Sequence, residues 1–342
     1  MTWLIGARLQ SRPALWSLLW PLALGAALCQ FAAGTARSNT LDDVLKRQRI
    51  VCGVSQGLLG FSIKDAAGAW SGFDVDFCKA LSSAIFSSPD RVEYVPLSAD
   101  ERFGALTSGK IDLLSRNSTW TMSREIGLGL EFAGVIYYDG QSFMAPAERG
   151  WVSAMELAGA KVCAQSGTTT EANARNFFAQ SKMTAELVTV ATFGEMLEAY
   201  KTGRCDAITA DRSALAVQRM GFDQPDAHTL LPEVISKEPL GPVVRKNDAA
   251  WASVVRWVLF ALIEAEENGH SRAAPPPAAG TGAIPPLSER LPRDWYHNII
   301  RQVGNYGDIF ERNLGKETPL AIERGVNSLW VQGGILYAPP MR

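Results

Sequence analysis

Two stretches decide how this chain is read: TSGKIDLL at residues 107–114 and KTGRCDAIT at residues 201–209. In each, a helix-like segment gives way to a glycine, and a basic residue and an aspartate then lead into an apolar run. A glycine supplies the left-handed turn that closes a helix, so both stretches read as a helix end followed at once by a strand. Outward from the first, residues 49–54 and 92–97 read as strands, and 73–86 and 101–107 as helices. Outward from the second, 161–164 and 186–190 read as strands, and 171–179 and 193–200 as helices. The same order appears twice, which predicts an α/β chain of two lobes built on one plan.

The length agrees with that division. A chain of 342 residues exceeds the roughly 250–300 at which a single core stops growing. A net charge of −2 gives no electrostatic case for a nucleic-acid partner or an anionic membrane surface. At the N-terminus, Arg8 and Arg12 precede an apolar run over 14–28, and small residues follow to Gly34-Thr35-Ala36. This is the pattern of a secretory signal, here residues 1–36. Cys29 raises a lipoprotein alternative, but Leu28 before it is a poor fit to the small residue such a site needs. No later segment has the ~18 consecutive apolar residues of a spanning helix, so the remainder is expected to be exported and soluble.

Four cysteines follow the signal: Cys52, Cys78, Cys163 and Cys205. In an oxidising compartment an even number predicts two disulfides, with three connectivities open. Pairs within each lobe, Cys52–Cys78 and Cys163–Cys205, would tie neighbouring elements together and leave the lobes free to move. No two cysteines have C-x-x-C spacing, and His228, His270 and His297 are far apart, so neither a zinc site nor a cofactor is expected.

Open α/β sheets bind ligands where strands lead into helices. Three such places carry polar residues: SRNSTWTMSRE at 115–125, QSGTTT at 165–170 and ADRS at 210–213. A guanidinium offers paired donors to a carboxylate, so Arg116 or Arg124 can anchor one, with Asn117 and Thr119 adding hydrogen bonds. Gly167 permits a tight turn before threonines at a predicted helix N-terminus, where free N–H groups favour an anion. Asp211 can receive a cation. Taken singly, each has a plainer reading: a surface ion pair for the arginines, an N-cap for Asp211, packing for Trp120, a chance sequon at Asn117-Ser118-Thr119.

Taken together, ERF at 101–103, SGKID at 108–112, RNSTWTMSR at 116–124, YYDGQ at 137–141, QSGTT at 165–169, ADR at 210–212, QVGNYG at 302–307 and YAPP at 337–340 resemble the periplasmic amino-acid-binding proteins of ABC transporters. The resemblance is to their general L-amino-acid branch and covers nearly all of residues 40–342. It implies the type II periplasmic-binding-protein fold, two α/β lobes joined by two crossing strands, here near 138–142 and 236–241. Lobe one then comprises 37–139 and 239–342, and lobe two 140–238, with a Pro/Ala-rich mobile loop at 273–286. Residues 291–342 are expected to pack on lobe one.

The resemblance also assigns roles. The arginine that follows the N-x-T-x-T-x-x pattern, Arg124, holds the α-carboxylate; Asn117 and Thr119 line the same pocket; Thr169 adds a contact to the carboxylate; Asp211 takes the α-ammonium. Gln165 faces the ligand side chain, and selectivity is expected to depend on it together with polar groups such as Ser55, Gln56 and Ser98. Leu58 stands near where narrower relatives often stack an aromatic on the ligand, which favours a broad or unusual range; the ligands expected are polar and acidic L-amino acids. The implied partners are an ABC permease with its ATPase, met by a monomer in the periplasm. Two rival readings remain: an enzyme resembling cyclohexadienyl dehydratases, for which Glu171 would be the acid, and a ligand sensor for a separate receptor.

Overall fold

The computed structural model describes residues 39–278 and 284–342. The expected signal at 1–36 and residues 279–283 of the Pro/Ala-rich segment lie outside the described residues. In chain order the elements are α1 (Thr40–Arg47), β1 (Ile50–Ser55), β2 (Ile63–Lys64), β3 (Trp70–Ser71), α2 (Phe73–Phe86), β4 (Val92–Leu97), α3 (Glu101–Thr107), β5 (Leu113–Leu114), α4 (Met122–Gly127) and β6 (Leu130–Phe132). There follow β7 (Tyr137–Pro146), β8 (Lys161–Gln165), α5 (Thr169–Gln180), β9 (Glu186–Val190), α6 (Phe193–Lys201), β10 (Ala207–Asp211), α7 (Arg212–Met220) and β11 (His228–Leu230). The last are β12 (Ser236–Leu240), β13 (Val243–Arg245), α8 (Ala249–Glu267), α9 (Trp295–Gln302) and α10 (Tyr306–Asn313).

The residue pattern accounts for these elements locally. β1 is buried at every position, as expected of an apolar strand covered on both faces. α5 starts at Thr168, whose side chain accepts the Glu171 N–H, and α6 starts in a reciprocal capping box of Thr192 and Glu195. Past the ends of α3 and α6, Gly109 and Gly203 stand at φ +78° and +72°, the left-handed turns that the two opening stretches call for.

β4-β1-β5-β13-β6 form one sheet, parallel from β4 through β5. The second runs β11-β7-β10-β8-β9, with β12 also on β7. β7 is long enough to serve two neighbours. Its first half runs antiparallel to β12, from Tyr137↔Leu240 to Gln141↔Ser236, and its second half pairs with β10 and β11. β7 and β12 are therefore the crossing strands. Just beyond β12 the backbones approach so closely that a Cβ on Gly241 would stand 2.0 Å from the Gly134 carbonyl oxygen.

The core around the first sheet extends to the C-terminal helices. α9 packs on α2 and α8, and α10 on α8 and α2. Phe73 makes edge-on ring contacts with Tyr137, Tyr306 and Phe310. Removing one such buried ring typically costs about 3–5 kcal/mol. The described ends of the Pro/Ala-rich segment are tied down: the Pro276 carbonyl meets His297 Nδ1 at 2.6 Å and the Pro285 carbonyl accepts from Trp295 Nε1 at 3.0 Å. Disulfides join Cys52 to Cys78 and Cys163 to Cys205. The first links β1 to α2, and the second links β8 to the residues leading into β10.

Candidate ligand-binding site

The carboxyl ends of β1, β5, β8 and β10 surround one cavity. Its first wall is built by the segment after β5, which is tied down residue by residue, although the Asn117 Oδ1 is buried without a partner. Ser115 Oγ donates to the Asp74 carbonyl at 3.0 Å, and Arg116 Nε to the Leu97 carbonyl at 3.0 Å. Asn117, at φ +21°, donates its N–H to Asp74 Oδ2 at 3.1 Å. Trp120 N–H donates to the Pro239 carbonyl, and Gly241 N–H to that of Ser118, which ties the segment to β12. Thr121 then caps α4. Beneath this wall Asp74 is buried, and burial pushes its carboxyl up to about 7 against the opposing Asn117 N–H and Arg116 charge.

Three guanidiniums gather at this wall, Arg102 and Arg116 in the cavity lining and Arg124 outside it. Arg102, Arg116 and Arg124 are 3%, 8% and 8% exposed, so none is a surface charge. Arg124 Nη1 donates to the Thr119 carbonyl at 2.8 Å, and its guanidinium carbon lies 5.0 Å from the Phe103 ring centre. Arg102 lies 4.8 Å from the same ring. Among the described residues Arg102 donates no hydrogen bond to protein, and its Nε is buried without a partner. Burial, then repulsion from Arg116 and Arg124, makes Arg102 far less basic than usual.

The opposite wall comes from the second sheet. Gly167 turns at φ +70°, Thr168 caps α5, and Thr169 faces the cavity. Asp211 stands at the start of α7 but caps no N–H there. It is 8% exposed. Burial, reinforced by Asp139 and Glu238, raises its pKa well above the carboxylate range, against the opposing charges of Arg102 and Arg124. Burial thus favours the protonated carboxyl, and a cation seated beside it would restore the ionised form.

Of the residues singled out from the sequence, Arg116, Asn117, Thr119, Gln165, Thr169 and Asp211 line the cavity together, as do Ser55 and Leu58. Arg124 sits behind Thr119, outside the lining. Ser98 is also outside it, its hydroxyl donating to Glu101 at 2.8 Å at the start of α3. Gln56 is exposed. Arg102, Phe193, Met196 and Thr209 line the cavity without having been singled out for it. Arg102 had one visible signal. It shares a helix face with buried Ala105 and Leu106, three and four residues on, and a charge in an apolar stripe is out of place. No described cluster of His, Cys, Asp or Glu has the makings of a metal site.

Residues 50–270 match the family of bacterial extracellular solute-binding proteins, family 3. The chain belongs to that family. The general L-amino acid-binding periplasmic protein AapJ of Rhizobium johnstonii is 47% identical over 333 residues, 94% of this chain and 98% of the relative. The glutamate/glutamine/aspartate/asparagine-binding protein BztA of Rhodobacter capsulatus is 44% identical over 328 residues, 92% and 97% of the two chains. Among solved structures, an ABC transporter periplasmic binding protein from Brucella ovis with glutathione bound superposes with a TM-score of 0.85 at 47% identity. It covers 89% of this chain and 100% of its own. The two sheets and crossing strands of this solute-binding protein are thus the type II periplasmic-binding-protein fold. Among the described residues, no helix is long and apolar enough to cross a membrane.

Proposed function

We propose that this solute-binding protein captures polar and acidic L-amino acids between its lobes and delivers them to an ABC permease and its ATPase. The observation that carries the reading is the pairing of Asp211 with Arg102 across one cavity: both buried, and neither hydrogen-bonded by the protein among the described residues. A buried carboxyl and a buried guanidinium on facing walls, each short of hydrogen-bond partners, suit a small zwitterion, whose charges favour the ionised form of both.

Asp211 takes the α-ammonium. Arg124, beside the lining through its bond to the Thr119 carbonyl, takes the α-carboxylate together with the backbone N–H of Thr169 at the start of α5; Asn117 and Thr119 line the same pocket, and Gln165 faces the ligand side chain. Ser98 serves α3 instead of the ligand. Three guanidiniums exceed what one α-carboxylate needs, so Arg102 and Arg116 favour a second anionic group, and glutamate and aspartate lead glutamine and asparagine. The names of the relatives AapJ and BztA support this ligand class.

The lobes are 37–139 with 239–342, and 140–238. The protein acts as a monomer in the periplasm, reached through the signal at 1–36. It is a binding protein and not an enzyme. Glu171, the acid an enzymatic reading needs, stands outside the cavity lining, paired with Arg175 and accepting the Gly167 N–H. The test is titration of L-glutamate and L-glutamine into Arg124→Ala and Asp211→Ala: each loses most binding while keeping the wild-type circular dichroism. Normal binding by both variants overturns the assignment.

A further inference from the structure

Glu238 lies on β12, one of the crossing strands, and is 1% exposed. Its carboxylate collects four hydrogen bonds. Oε2 accepts from Thr119 Oγ1 at 2.5 Å and Thr169 Oγ1 at 2.9 Å; Oε1 accepts from Asn173 Nδ2 at 2.7 Å and Ser236 Oγ at 2.6 Å. The donors belong to separate parts of the fold: Thr119 follows β5 of the first sheet, while Thr169 and Asn173 are on α5 against the second. The two threonine oxygens are 3.3 Å apart, and both residues line the cavity. Nearby the lobes meet again, where a Cβ on Gly167 would stand 1.9 Å from Asp100 Oδ1.

An ionised carboxylate only accepts, and a hydroxyl has one proton to donate. With both protons directed at Glu238, the oxygens of Thr119 and Thr169 present only lone pairs to the cavity. We propose that Glu238 is a positioning residue that couples ligand capture to lobe closure. It holds a threonine of each lobe on one shared oxygen and presets both hydroxyls as acceptors for an N–H-bearing group of the ligand. Opening about β7 and β12 separates Thr119 from Thr169, and Glu238 then keeps at most one of them. A buried carboxylate with fewer donors is destabilised, so Glu238 biases the ligand-free protein toward closure. The inference rests on the cavity being the ligand site, but its test does not require the ligand to be an amino acid.

Glu238→Gln keeps the shape and replaces one acceptor oxygen with an N–H donor, which cannot serve all four donors. Small-angle scattering of the ligand-free protein reads closure directly. The expected result is a larger radius of gyration for Glu238→Gln than for wild type. In calorimetry the variant is expected to bind L-glutamate at least about ten-fold more weakly. Thr169→Val, which leaves Glu238 in place, is expected to open the ligand-free protein in the same way, and it decides the matter if Glu238→Gln does not fold. In the Glu238→Gln background, Thr169→Val should add less than about three-fold to the affinity loss. An unchanged radius of gyration in both variants, or losses that simply multiply, overturns the proposal. If wild type binds no amino acid but both variants open, the ligand reading fails and the role of Glu238 stands.

Discussion

Asn327 holds the backbone of Tyr138 with both of its polar groups. Its Oδ1 accepts the Tyr138 N–H at 2.7 Å, and its Nδ2 donates to the Tyr138 carbonyl at 3.0 Å. Tyr138 is on β7, so the C-terminal segment grips a crossing strand. Arg324 secures the grip with two bonds to Glu266, at 2.9 and 3.1 Å, while lying over the rings of Tyr306 and Phe310. Asn327→Ala leaves two backbone groups of β7 without these partners and is expected to destabilise the protein by about 1–3 kcal/mol. Urea unfolding measures it; a shift below about 0.5 kcal/mol would remove the tail from any part in holding the crossing.

Arg102 is a buried charge whose guanidinium donates no hydrogen bond to the protein among the described residues, so stability and binding should respond to it in opposite directions. Arg102→Met keeps the length and removes the charge. The variant is expected to melt at or above the wild-type temperature, because a buried ion short of hydrogen bonds has been replaced by an apolar chain. Its affinity for L-glutamate is expected to fall by at least about ten-fold, and that for L-glutamine by less. Equal losses for the two ligands would show that Arg102 does not read the side-chain carboxylate.

Asp74 makes stability depend on pH. Burial raises its pKa from 3.8 to about 7 in the folded protein, so the native state holds the proton more tightly than the unfolded chain. Its contribution is fully present below the unfolded pKa and is lost as pH rises through about 7. Asp74→Asn still accepts the Asn117 N–H but does not titrate. The melting temperature of the variant relative to wild type should therefore rise between about pH 5 and about pH 8. Burial also pushes Asp139 up, to about 6, but that group remains in both proteins and largely cancels in the difference. A difference that is flat across this range would contradict the assignment.

Each disulfide lies within one lobe, with its cysteines 26 and 42 residues apart. Chain-entropy reasoning gives about 3–4 kcal/mol for loops of these lengths. Replacing either pair with serines is expected to lower stability by that order, while the closure seen by small-angle scattering on adding ligand persists. Loss of closure at temperatures where the fold survives would mean that a disulfide restrains the crossing.

Where local chemistry governs, the sequence was readable. The helix over 73–86 and the strand over 92–97 have the expected bounds, and the glycine turns at 109 and 203 follow from residue identity. The crossings near 138–142 and 236–241 came from the family resemblance and not from local chemistry, and β7 and β12 run through those residues. Other features needed tertiary context. α4 emerges inside the polar segment because Thr121 accepts the Arg124 N–H, a choice made by one hydroxyl. Arg102 belongs to a short helix whose buried face is chosen by what packs on it. Glu238 reads as an ordinary charged residue until Thr119, Thr169 and Asn173, far apart in sequence, are brought to its carboxylate. Arg124 is buried behind Thr119 instead of lining the cavity, a distinction of depth that a motif does not carry.

The most direct test of the central claim is a calorimetric titration of the purified protein, refolded to strip bound ligand, with each of the twenty L-amino acids. The account predicts micromolar or tighter binding of several polar ones, with L-glutamate and L-aspartate at least as tight as L-glutamine and L-asparagine. No heat of binding with any of them, from protein shown to be refolded, would contradict it.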